Sequence, residues 1–193
     1  MNGARLRLIL WGIVLVASMA ATSAILFLPR AVVSGLGGGS YALVDQRGVA
    51  VDQTMFGGHP SLLFFGYTHC PDICPTTMAE MSTWFSTLGD QAKDLRAYFV
   101  TVDPERDTPA VLGDYVSWVS DRITGITGTR AEIDKIIAAW HVVAQKVQSS
   151  DGGYTMNHTA SVFLLDRTGN FVGTIAFGEA TQSALDKIRR LLA

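Results

Sequence analysis

Cysteine is scarce in this chain. There are two, Cys70 and Cys74, in 193 residues. No disulfide framework can be built from one pair, so the fold must rest on its core. A bacterial lipoprotein anchor is excluded as well, because no cysteine lies near the N-terminal apolar segment. Proline runs out at Pro109. No internal repeat and no low-complexity segment is present. Charge is sparse before Tyr41, where Arg5, Arg7 and Arg30 are the only charged residues. All 17 acidic residues therefore lie beyond them, with the rest of the 15 basic ones. A mildly acidic domain argues against nucleic acid as a partner.

What is present begins with an apolar run. Leu8 to Leu28 carries no charge, and about 21 residues at ~1.5 Å each span roughly 31 Å, the thickness of a bilayer core. A cleaved signal peptide is the competing reading, since Ala17, Ala20, Ala21 and Ala24 would permit a cleavage site. Ile25-Leu26-Phe27-Leu28 extends the apolar run past them and favours an uncleaved anchor. The two leading arginines predict a cytoplasmic N-terminus with the rest of the chain outside. The expected organisation is a short cytoplasmic tip over 1–5, a transmembrane anchor over 6–29, a Gly-rich tether over 30–40 and one domain over 41–193. About 150 residues suffice to bury a core.

The domain alternates strand and helix patterns. Tyr41–Asp45 and Val49–Asp52 flank Gln46-Arg47-Gly48 as a hairpin. Ser61–Tyr67 reads as a strand buried on both faces. Pro75–Leu88 has helical spacing at Met78, Met81, Trp84, Phe85 and Leu88, with Pro75 suited to the first turn. Leu95–Val102 is a second buried strand, and Thr108 N-caps a helix to about Val119. A short strand follows over Ile123–Ile126. Thr129 caps a helix to Trp140, and Val142–Val147 suits an edge strand. Ser161–Asp166 and Phe171–Ala176 form a hairpin, and Thr181–Leu192 is the last helix. This is the order of an α/β thioredoxin-like sandwich with an added N-terminal β-hairpin.

The chemistry lies in Phe64-Phe-Gly-Tyr-Thr-His-Cys-Pro-Asp-Ile-Cys-Pro-Thr76, a strand-to-helix turn. Two thiols there can close a disulfide or grip a soft metal ion. Cys70 and Cys74 stand at i and i+4, so near-helical backbone places both sulfurs on one face. Free amides at the helix start favour thiolate. Thioredoxin-type redox enzymes use Cys-x-x-Cys, one residue shorter; the wider bite makes room for a metal without forbidding a disulfide. As a mere staple so small a loop removes little unfolded-state entropy.

A metal needs a further ligand. His59 reads as a loop residue, His69 diverges from its neighbour Cys70, and His141 suits a helix end. His158 sits in Tyr154-Thr-Met-Asn-His-Thr-Ala-Ser161, a polar stretch that in a thioredoxin-like fold faces the cysteines. Two thiolates and an imidazole favour copper, because thiolate selects Cu(I) and imidazole helps hold Cu(II). Zinc remains open, with Asp72 as a source of a fourth ligand. Thioredoxin-type oxidoreductases carry a proline in that facing loop, where this chain has His158. The thiol-peroxidase spacing of proline, threonine and cysteine does not occur before Cys70.

Gly66–Thr77, Val102-Asp-Pro-Glu-Arg-Asp-Thr-Pro109 and Asn157-His-Thr with Phe163–Asp166 beyond it resemble the Sco/SenC family of membrane-tethered, thioredoxin-like copper proteins. The resemblance runs in order over nearly the whole outer domain. It implies Cys70, Cys74 and His158 as ligands of one copper per chain, Cu(I), Cu(II) or both. It implies assembly of the CuA centre of cytochrome c oxidase subunit II, by delivering copper or by reducing the target's cysteines. An upstream copper donor or thiol reductase is implied as a further partner. The implied location is the inner membrane with the domain in the periplasm, or the mitochondrial equivalent. Asn157 departs from the pattern, which commonly has Asp before the histidine; Asn keeps hydrogen bonding but loses the charge.

The Asp103–Pro109 loop, at the carboxyl end of a core strand, has two readings. One is a docking or site-supporting loop that includes Asp103; the other is an ordinary charged loop. Met78 and Met81 read as core rather than as a methionine copper site. Two functions follow: a copper metallochaperone, or a membrane-anchored thiol-disulfide reductase with Cys70 and Cys74 as its redox pair.

Overall fold

The computed structural model describes residues 35–150 and 152–193, with Trp11. The expected anchor over 6–29 lies almost wholly outside the described residues. No described helix is long and apolar enough to cross a membrane.

β1 (Ala42–Asp45) and β2 (Ala50–Asp52) form the expected hairpin. β3 (Ser61–Gly66) is buried at every position. It lies between β4 (Arg96–Thr101), to which it is parallel, and β8 (Val162–Leu165), to which it is antiparallel. A strand walled by neighbours and covered on both faces can be apolar throughout, which is why Leu62-Leu-Phe-Phe65 runs unbroken. With β5 (Ile123–Thr127) and β9 (Phe171–Ile175), the seven-stranded order is β2-β1-β5-β4-β3-β8-β9.

Four α-helices of eight or more residues stand among the described residues. α1 (Ile73–Leu88) follows β3, and α2 (Pro109–Val119) is capped by the Thr108 hydroxyl. α3 (Arg130–Ala139) is capped by Thr129, and α4 (Thr181–Leu192) ends the domain. α1 starts two residues earlier than the proline suggests. Its first amides have no intrahelical partner, so Pro75 is tolerated inside the first turn. Cys74 therefore sits in helix rather than in the loop before it. Alternation along β3 divides the core between two faces. Phe64 packs on Phe99, and Phe99 on Tyr115 of α2. Phe65 packs on Phe163, and Phe163 on Trp140 at the end of α3. Met78 and Met81 are fully buried core, as their spacing suggests.

Two regions differ from expectation. The Gly-rich stretch, expected as a flexible tether, turns back onto the domain. The Gly37 amide donates to the Ala139 carbonyl at 2.8 Å, and a Cβ at Gly37 would stand 2.3 Å from the Trp140 ring. Only glycine, at φ +87°, fits against that indole. The expected edge strand over Val142–Val147 is instead β6 (Ala144–Gln148), which pairs only with β7 (Tyr154–His158). This ribbon forms a separate two-stranded sheet.

Candidate metal centre

The site lies at the carboxyl ends of the parallel strands β3 and β4, where open α/β sheets form ligand crevices. β3 ends at Gly66, where a Cβ would stand 2.8 Å from the Cys74 sulfur. Any larger residue would displace that sulfur, so Gly66 belongs to the site. The chain then turns through Tyr67-Thr-His-Cys70 and enters α1. Cys74 is buried and Cys70 half-buried; both are free thiols. The Cys74 amide points at the Cys70 sulfur at 3.4 Å. His158 arrives from the last position of β7 rather than from a loop, and its Nε2 is 3.3 Å from the Cys74 sulfur. The two sulfurs and one ring nitrogen all lie within 4.8 Å of one another.

The imidazole is oriented from behind. Its Nδ1 is 3.0 Å from the Thr159 carbonyl oxygen. A carbonyl only accepts, so Nδ1 carries the proton and the Nε2 lone pair faces the sulfurs. Phe64 and Tyr67 meet the ring edge-to-face, at centroid distances of 6.0 and 5.8 Å. The two thiols are unequal. The Cys70 thiol is drawn down to about 3, chiefly by a hydrogen bond from Cys74, against burial. Cys74 is pushed up, because it keeps the proton it shares with Cys70 and because it is buried. Cys70 is thus the thiolate at neutral pH and Cys74 the thiol. Three soft or borderline donors converge on one point. A soft cation can take all three lone pairs, displacing the Cys74 proton.

Asp72 and Asn157 are exposed beside this cluster and stand outside it. With Tyr67, Cys70 and Met156 among others they line a mouth of about 380 Å³. His69 is exposed, its Nδ1 3.0 Å from the Thr68 hydroxyl, and it too lies outside the cluster. His59 and His141 take no part among the described residues.

The structure gives roles to two acids of the Asp103–Pro109 loop, of which the sequence singles out Asp103 but not Asp107. Asp107 is fully buried. Its carboxylate accepts from the Thr68 amide at 3.0 Å and from the Thr68 and Thr101 hydroxyls at 2.6 Å. Burial, only partly offset by these bonds, raises its affinity for a proton. Asp107 holds the turn two residues before Cys70. Asp103 is buried and accepts from the Tyr154 hydroxyl at 3.0 Å and from Arg106. The only sequence signal for these roles was the density of acids and prolines in one short loop after a core strand.

The comparisons agree with this geometry. The SCO1/SenC family model matches residues 33–193. The SCO2-like protein RP587 of Rickettsia prowazekii is 34% identical over 137 residues, covering 70% of this chain and 67% of that protein. Bradyrhizobium japonicum ScoI, solved with copper bound, is 44% identical with a TM-score of 0.73, covering 80% of this chain and 98% of that one. Yeast Sco1 with copper bound is 31% identical with a TM-score of 0.73, covering 81% of this chain and 87% of that one. With its thioredoxin-like sandwich and its Cys-x-x-x-Cys turn facing a histidine, the chain belongs to the SCO1/SenC family.

Proposed function

We propose that this chain is a copper metallochaperone that carries one copper ion as cargo on Cys70, Cys74 and His158. Its target is the CuA centre of cytochrome c oxidase subunit II. The observation that carries this reading is the convergence of two sulfurs and an imidazole Nε2 within 4.8 Å, with the ring's tautomer fixed by Thr159. Copper in solved relatives supports the choice of metal over zinc, as does a cluster of three donors with no fourth protein ligand among the described residues. Half-exposure of Cys70 leaves the ion open to attack by a recipient's thiolates, as a transfer protein requires. The uncharged run over 8–28 supports an anchor that keeps the domain at the inner membrane, on the periplasmic side or its mitochondrial equivalent. An upstream copper donor or reductase would load it.

The unequal thiols favour a second reading. An accessible thiolate above a buried partner thiol is the arrangement of a dithiol oxidoreductase. Stabilising the Cys70 thiolate also stabilises the reduced pair, however, which makes it a weaker reductant. That weighs towards metal carriage.

The test is copper stoichiometry on the full-length chain in detergent. Reduced protein is expected to retain about one copper per chain, and protein oxidised to the Cys70–Cys74 disulfide none, because only thiolates ligate copper. Equal copper in both forms would overturn the reading.

A further inference from the structure

His158 reaches the site on an element with little of its own to hold it. β6 and β7 pair only with each other. A two-stranded ribbon is marginal by itself. Met156 is the one buried side chain in either strand. Something outside the ribbon must fix where His158 stands.

Tyr154, at the far end of β7, meets the loop after β4. Arg106 Nη1 donates to the Tyr154 carbonyl at 3.2 Å, and the guanidinium carbon lies 3.8 Å from the Tyr154 ring centroid. The Tyr154 hydroxyl donates to Asp103 Oδ1 at 3.0 Å, while Arg106 Nε pairs with Oδ2 of the same carboxylate. Asp103 is itself fixed, its amide donating to the Thr101 hydroxyl at 2.9 Å. Tyr67 completes the layer, 5.6 Å from the Arg106 guanidinium and 5.8 Å from the His158 ring. Four residues further along the same loop, Asp107 grips Thr68 and so the cysteine turn. One loop therefore holds both halves of the centre.

We propose that Arg106, with Asp103 and Tyr154, is a positioning clamp that sets the ribbon so that His158 Nε2 stands at ligand distance from the cysteine sulfurs. This inference rests on the copper-carrying reading. Metal–ligand distances tolerate about 0.2 Å, so a ribbon free to rock at its base turns the imidazole out of range. The two cysteines, one in the turn held by Asp107 and one in α1, are untouched. Releasing the clamp thus separates the oxidation states. Cu(I), which thiolates alone can hold, is retained; Cu(II), which leans on the imidazole, is lost. Lysine does not replace Arg106, because it lacks the planar fork that pairs with Asp103 while stacking on Tyr154.

The experiment compares wild type, Arg106→Lys, Tyr154→Phe and His158→Ala as full-length chains in detergent. The distal Arg167→Ala, which removes an exposed pair with Asp94, is the control. Each is titrated with Cu(I) and with Cu(II), and the Cu(II) electron paramagnetic resonance spectrum is read for coupling to one nitrogen. Arg106→Lys is expected to lose Cu(II) affinity roughly tenfold to a hundredfold and to weaken the nitrogen coupling, with Cu(I) stoichiometry kept. Tyr154→Phe, which keeps the stack but loses the hydroxyl bond, is expected to fall between Arg106→Lys and wild type. Wild-type Cu(II) affinity and nitrogen coupling in both clamp variants would overturn the clamp. So would equal losses of Cu(I) and Cu(II), which would mark a general effect on folding. Failure of the ligand reading looks different: wild type and His158→Ala would then bind Cu(II) alike.

Discussion

The two halves of the candidate metal centre are built on different principles. Cys74 sits in the first turn of α1, its sulfur packed against Gly66 at the end of the most buried strand. Moving it means moving the core. His158 sits on a ribbon outside the main sheet, most of whose side chains meet water. Moving it costs a few polar and aromatic contacts and one buried methionine. A site with one rigid and one yielding side can grip an ion with three donors and release it by giving up one. A resident cofactor would want all its ligands on the rigid side; a cargo does not. The predictions that follow probe the rigid side, the yielding side and the joint between them.

The largest effect belongs to the rigid side. Cys70→Ser with Cys74→Ser is expected to remove all tight copper binding, because the remaining imidazole is a single ligand. Copper content of the purified full-length variant is the measurement, and retained copper would exclude a thiolate site. The fold should survive, since serine is smaller than the space it enters and a hydroxyl at position 70 can accept from the residue-74 amide as the sulfur does.

On the yielding side, His158→Ala is expected to weaken copper binding and shift any Cu(II)–thiolate absorption while leaving disulfide formation intact. Oxidase activity in a strain dependent on the variant should fall. Normal oxidase assembly with wild-type copper binding would hand the function to the reductase reading.

Asp107 holds the cysteine turn from the loop that also reaches the ribbon, so its loss is a stability effect first. Asp107→Ala leaves the Thr68 amide and the Thr68 and Thr101 hydroxyls without their buried acceptor. Each orphaned group costs about 1–3 kcal/mol, so a loss of several kcal/mol is expected. Denaturant unfolding measures it, and a loss under about 1 kcal/mol would show that water replaces the carboxylate.

The asymmetry of the thiols makes a smaller prediction. Cys70 has a depressed pKa of about 3, so its thiolate form is fully present above the ordinary thiol range and still dominant at pH 5. It is lost only as pH falls through the folded value. Alkylation of metal-free protein by iodoacetamide should therefore modify Cys70 at a rate nearly flat from about pH 5 to 8. Cys74, whose pKa is raised, should stay protected over that range. A Cys70 rate rising tenfold per pH unit would mean an ordinary thiol. The stability contribution has the matching sign: the Cys70 thiolate favours the folded state more as pH rises from its folded to its unfolded value.

Much of the rigid side was legible in the sequence, because its signals are local. An unbroken apolar run, a pair of cysteines and a helical stripe through Met78, Met81 and Phe85 stand next to one another in the chain. The thin ribbon was not. Ala144-Gln-Lys-Val-Gln148 shows no apolar alternation because only Ala144 touches the core, so its pattern suits an edge strand and says nothing of a separate ribbon. His158 was picked out by its polar surroundings, yet its place at a strand end was invisible, since β7 is defined only by its pairing with β6. The roles of Asp107, Asp103 and Arg106 depend on contacts with residues 39, 51 and 48 positions away, which no local pattern encodes.

The smallest expected effect is at His69, beside Cys70 in sequence but not in chemistry. Its ring is exposed, and Nδ1 meets the Thr68 hydroxyl, which itself donates to Asp107 at 2.6 Å. Neighbouring side chains on this turn diverge, so the imidazole faces water while the Cys70 sulfur faces His158. His69→Ala should leave copper stoichiometry at one per chain and change stability by no more than about 0.5 kcal/mol, as for an exposed side chain with a single polar contact. Copper titration of His69→Ala beside His158→Ala is the check. A tenfold loss of affinity in the His69 variant would mean that the turn rearranges on binding. The ligand histidine would then belong to the rigid side, and the contrast between the two halves would fail.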